Sequence, residues 1–172
     1  NCLPVVAVCR DELMADFGRA VTDVWGQPFE AGSLAGLVFL GRTGVQAALG
    51  HVPGEDGRHR FVVFCFPHIG IDADGTLGRV QRRGMYRASS ACGALASFRA
   101  RLEAGDRAVE IDADDVEQSL LRMRLQPLVG TGATPSLLIL TELARRASVD
   151  DMTRFIELAR GTEPVDVAFI SG

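Results

Sequence analysis

The chain has 172 residues, 47% hydrophobic and 23% charged, with a formal net charge of −4 and a pI near 5.4. That length supports one domain with a sizeable core, and that acidity argues against a general nucleic-acid binder, which carries basic charge. All 18 basic residues are arginine, which excludes lysine Schiff-base chemistry and a P-loop.

No run of eighteen apolar residues occurs, so no membrane-spanning helix is expected. No signal peptide is visible. The start at Asn1 without Met and the apolar run at 165–170 suggest that both ends are truncated.

Residues 4–8 (PVVAV) are a β-branched run and predict a buried strand. Asp11 caps a helix over DELMADFGRAVTDVWG, with Leu13, Phe17, Val21, Val24 and Trp25 on its apolar side. Gly26 and Pro28 end that helix. Residues 32–44 are apolar and glycine-rich, which predicts close backbone approach or a turn. A short helix is expected at 45–49 and a polar loop at 51–60. FVVFCF at 61–66 reads as a central strand, apolar on both faces and stopped by Pro67.

Residues 68–84 carry four glycines and no helical period. A helix is predicted over 87–105 with Ser89 or Ser90 as cap, then three more near 113–126, 134–147 and 150–160. Pro135 falls in the first turn of the second of these, where it is tolerated. A last strand is expected at 165–170. Strands alternate with helices, so the expected class is α/β, a mainly parallel sheet flanked by helices. No repeat or linker divides the chain, so 1–172 reads as one domain.

Four cysteines (2, 9, 65 and 92) and three histidines (51, 59 and 68) are the candidate metal ligands. Without a secretion signal the cysteines read as buried thiols or ligands rather than a disulfide framework. In an open α/β sheet, ligands gather at the C-terminal ends of strands. Cys9 ends the first strand, His68 follows the second, and Cys92 opens the next helix. A Cys₂His set leaves one tetrahedral position open, the pattern of catalytic zinc. Cys65 competes through C-x-x-H with His68, though a thiol inside an apolar strand is more simply core. His51 and His59 have the residue type for a proton shuttle but read as exposed. DAD at 72–74 lacks the full calcium-loop pattern and reads as a turn. Phe39, Phe66 and the 34–40 segment could line a small apolar pocket.

Four ordered segments carry a family resemblance: CRDE at 9–12, SLAGLVFLGRTG at 33–44, FPHIGID at 66–72 with DGTLGRVQRRG at 74–84, and SSACGA at 89–94. The final VAFISG also fits. With them the chain resembles the limiting-CO2-inducible protein B and C (LCIB) family, whose fold is β-carbonic-anhydrase-like. The resemblance implies that Cys9, His68 and Cys92 hold Zn2+. It implies that Asp11 is the acid of an Asp–Arg pair. Typical members of the wider class read C-x-D-x-R, whereas Leu13 stands here in place of the arginine. The arginine must come from elsewhere. Arg42, between glycines, is the expected catalytic partner. Arg19 lies about 12 Å further along the helix, and Arg10 reads as surface.

The implied activity is reversible hydration of carbon dioxide to bicarbonate by zinc-activated hydroxide, a lyase reaction. Asp11 either orients that nucleophile or takes the fourth metal position itself. The alternatives are hydrolysis of carbonyl sulfide or carbon disulfide, and a non-catalytic zinc-stabilised scaffold. A thiol redox role is disfavoured by the lack of C-x-x-C. The resemblance also implies a homodimer acting on a small molecule, while the acidic charge and the lack of a long apolar run point to no nucleic-acid or membrane partner. Free thiols fit a cytoplasmic or other intracellular setting.

Overall fold

The computed structural model describes residues 2–52 and 56–172. Asn1 and 53–55, in the middle of the expected 51–60 loop, lie outside the described residues. A four-stranded parallel sheet forms the centre, in the order β2-β1-β3-β6. Its strands are β1 (Leu3–Val8), β2 (Phe29–Glu30), β3 (His59–Phe66) and β6 (Val165–Ser171). All three pairings within it are parallel. A separate antiparallel ribbon pairs β4 (Arg79–Val80) with β5 (Ser89–Ser90). The helices are α1 (Ala15–Trp25), α2 (Gly41–Gly50), α3 (Gly93–Glu103), α4 (Val116–Val129) and α5 (Leu137–Arg160).

Strand alternation decides which side each residue covers. Val5, Ala7, Phe61, Val63 and Cys65 point to one face and pack with Val45, Ala48, Met152 and Ile156 of α2 and α5. Val6, Val62 and Phe64 point to the other face, against Phe17 and Val21 of α1. A third apolar cluster lies beyond the strand ends. It joins Cys9, Ala35, Leu37 and Cys92 to Leu95, Phe98, Leu121, Leu125 and Leu140 of α3, α4 and α5.

The expected strands at 4–8, 61–66 and 165–170 are present, each within about two residues of its expected ends. Three helix expectations need correction. The helix predicted from 87 starts at Gly93, because Ser89 and Ser90 pair with the 79–80 strand instead of capping. The two helices predicted at 134–147 and 150–160 are one, since 148–149 hold no Gly or Pro and Ser148 is buried. Pro135, expected in the first turn, lies just before that helix, whose N-cap is Ser136, its side chain accepting from the Ile139 N–H at 3.3 Å. Pro127 sits near the C-terminus of α4, where the chain turns out at Gly130.

Candidate metal centre

Three chain crossings meet above the C-terminal ends of β1 and β3. Cys9 directly follows β1. Its neighbour Asp11 then turns the chain, its carboxylate accepting from the Leu13 N–H at 3.2 Å to cap a short 3₁₀ turn ahead of α1. His68 follows β3 beyond Pro67. Cys92 is the N-cap residue of α3, where the free N–H groups of the helix favour negative charge.

Close backbone packing brings these crossings together. The Gly70 N–H donates to the Ala91 carbonyl (2.9 Å), that of Ala91 to Gly78 (2.9 Å), and that of Gly78 to Gly70 (2.8 Å). A Cβ on Gly70 would lie 2.7 Å from the Arg79 carbonyl oxygen and 2.9 Å from the Ala91 Cβ. Only glycine therefore lets the chain after His68 lie against the chain before Cys92. Gly32 plays the same part over β1, where a Cβ would fall 2.0 Å from the Val8 carbonyl. The close approach expected for the glycine-rich segment 32–44 is thus found.

The Sγ atoms of Cys9 and Cys92 are 3.6 Å apart, and a His68 ring nitrogen lies with them inside a group no wider than 4.8 Å. Two sulfurs about 2.3 Å from one tetrahedral ion stand about 3.8 Å apart, whereas a disulfide needs about 2.05 Å. The thiols are free. Both His68 ring nitrogens are buried and lack a hydrogen-bond partner; the Asp11 Oδ2 at 3.3 Å from Nε2 is close in distance but not aligned as an acceptor. Orphaned buried nitrogens of this kind call for a ligand. The Cys9 thiol is lowered to about 4, chiefly because Cys92 donates its S–H to it, against the effect of burial. The Cys92 thiol is held up by that same bond and by burial. Burial disfavours a charged His68, but Cys9 and Asp11 outweigh it and raise the imidazole above its ordinary value. Two thiol sulfurs and an imidazole nitrogen thus lie within 4.8 Å of one another, a donor set that suits a zinc-type cation.

Arg42 does not reach Asp11, and this expectation is corrected. The glycines around it belong to α2, not to a loop, and place Arg42 exposed in the first turn of that helix. Arg19 pairs with Asp16 on α1, and Arg10 pairs with Glu117 at 2.9 Å. The arginine on Asp11 is Arg82, whose Nη2 lies 3.3 Å from Oδ1 and 3.2 Å from Oδ2. It stands in the turn between β4 and β5, inside the quoted segment DGTLGRVQRRG.

The other expected residues fall away from the centre. Cys65 is fully buried on the α5 face of β3. His59 opens β3 and lies 3.1 Å from Glu163, a strand length of about 25 Å from His68. His51 packs on Phe29. Asp72 accepts from the Asp74 and Thr76 N–H groups, at 3.1 and 2.8 Å, so DAD is a turn. Leu34, Leu37 and Phe39 share the apolar cluster of Cys9 and Cys92, while Phe66 faces α1, 5.1 Å from Phe17.

The fold is an α/β class, a parallel sheet flanked by helices, with a Cys–His–Cys group at the strand ends that could hold a metal. The profile of the limiting CO2-inducible proteins B/C β-carbonic anhydrases matches residues 1–172. The chain belongs to that family. The crystal structure of PtLCIB4, a homolog of the limiting CO2-inducible protein LCIB, is similar with a TM-score of 0.84 and 25% identity, over 100% of this chain and 72% of that one. The crystal structure of LCIB gives 0.79 and 27%, over 100% of this chain and 71% of that one. An H88A mutant of PtLCIB4 gives 0.84 and 24%, over 100% and 71%. No curated protein matches the chain.

Proposed function

We propose that the chain is a zinc-dependent carbonic anhydrase that interconverts carbon dioxide and bicarbonate, with 1–172 as one zinc-binding domain. The observation that carries this is the Cys9–His68–Cys92 group with the Asp11–Arg82 pair beside it. Cys9, His68 and Cys92 would hold the metal. Bound there, zinc would supply a Lewis acid that lowers the pKa of a water towards neutrality. Asp11 offers a carboxylate oxygen next to His68 that can accept a hydrogen bond from the attacking oxygen and so orient it. Arg82 keeps that carboxylate ionised and pointed into the site. Leu34 and Leu37 make the adjoining wall apolar, which suits an uncharged linear substrate. A homodimer is also proposed, because Ala168 and Ile170 of β6, in register with Val62 and Phe64 on the α1 face, lie exposed.

Stopped-flow hydration of carbon dioxide by the zinc-loaded protein tests the reading. Asp11→Asn and Arg82→Ala should each lower kcat/KM by roughly 10²-fold with zinc retained, while Arg42→Ala leaves it unchanged. A fully loaded protein that gives no rate above buffer would overturn the activity. In that case the zinc-stabilised scaffold becomes the better reading.

A further inference from the structure

The Arg82 guanidinium has all five of its N–H donors matched to acceptors. Nε donates to Glu12 Oε1. Nη1 donates to Ser89 Oγ at 2.6 Å and to the Ser90 carbonyl at 3.0 Å. Nη2 faces both Asp11 oxygens. A guanidinium is a rigid planar fork, so ties on Nε and Nη1 also fix where Nη2 points. The ties come from two independent places, the CRDE turn after β1 and the β5 strand of the ribbon.

We propose that Glu12 and Ser89 are positioning residues that lock Arg82 onto Asp11. The proposal rests on the reading of Asp11 as the orienting carboxylate. An exposed ion pair alone is worth little, and Glu12 is exposed. The Asp11–Arg82 contact, however, is largely shielded from solvent, and Ser89 ties the same fork from the ribbon side. With both ties cut, Arg82 is free to swing off Asp11. Asp11, already 3.3 Å from the His68 ring, can then turn an oxygen onto the metal and close the open position.

The test uses Glu12→Gln and Ser89→Ala, singly and combined, in zinc-loaded and cobalt(II)-substituted protein. Two readouts are taken: the kcat and KM for carbon dioxide, and the visible spectrum of bound cobalt. The combined variant is expected to keep one metal per chain and an unchanged KM. Its kcat should fall roughly tenfold, and its cobalt spectrum should shift. The shift should vanish when Asp11→Asn is added, and Ser89→Thr, which keeps the hydroxyl, should behave as the parent protein. A kcat loss at constant KM, or an Asp11-dependent spectral shift, supports the lock. Unchanged kcat and unchanged spectrum in the combined variant overturn it. If the parent protein hydrates no carbon dioxide, the catalytic reading fails by itself and the cobalt spectrum still decides the lock.

Discussion

Two buried thiols of this chain are driven in opposite directions by their neighbours. Cys9 gains an S–H donor and sits near 4. Cys65 gains only apolar surroundings, and burial lifts it from 9.0 to about 12 despite the distant pull of Arg145. Folding therefore holds a proton on Cys65 that the unfolded chain releases above pH 9. The corresponding stability is intact below pH 9 and is lost as pH rises from about 9 towards 12. Urea unfolding midpoints should fall over that range, and the fall should be shallower in Cys65→Ala; parallel curves would refute this. At pH 8 the native protein should leave Cys65 unmodified by a thiol reagent that labels it fully in denaturant. The Cys9–His68–Cys92 grouping was legible from residue type and position at strand ends, because each of the three residues is local to an element boundary. Arg82 was not. Leu13 breaks the spacing that would have put the arginine next to Asp11, and its replacement comes from a turn 71 residues away with no period of its own. The glycines beside Arg42 looked like a loop, yet the chain accommodates them as the first turn of α2.

At the scale of elements, the ribbon β4–β5 matters more than its length suggests. It carries Arg82 and Ser89, and its base is the Gly70–Gly78–Ala91 packing that joins His68 to Cys92. Gly70→Ala should force the 70 and 79 backbones apart, at a cost of about 1–3 kcal/mol. Metal content after dialysis against a weak chelator should drop, and the melting temperature with it. Gly50→Ala, where a Cβ meets nothing within 4 Å, should change neither. Equal metal retention in both variants would remove the role assigned to Gly70. The long elements were legible because their patterns are strong: β3 as an unbroken apolar run and α1 as an apolar side. The two-residue strands β2, β4 and β5 were not. They are set by tertiary pairing, and a segment such as Ser89–Ser90 has no strand preference of its own.

Across the whole molecule, the α/β class followed from alternating strands and helices. The order of strands did not, because parallel pairing is decided by contacts far apart in sequence. The sheet is unevenly covered. α2 and α5 bury one face, while the other has α1 alone, which leaves Ile170 of the sheet 42% exposed and its own Val24 and Trp25 76% and 42% exposed. A second copy of the chain is the proposed cover. Light scattering should give about twice the 18.4 kDa chain mass, and Val24→Asp should return the monomer with its fold intact. A parent protein that already scatters as a monomer at micromolar concentration would dismiss the dimer.

The three proposed metal donors lie at positions 9, 68 and 92, on crossings that no disulfide joins. An ion bound to all three would act as a cross-link, closing loops of about sixty and about twenty-five residues, each with a closure entropy on the order of 3 kcal/mol at room temperature. The same ion would tie the first strand of the sheet, its middle strand and the start of α3 into one mechanical unit. The proposed chemistry and part of the fold's cohesion would then depend on a single occupant, so removing the metal should lower the melting temperature as well as any activity.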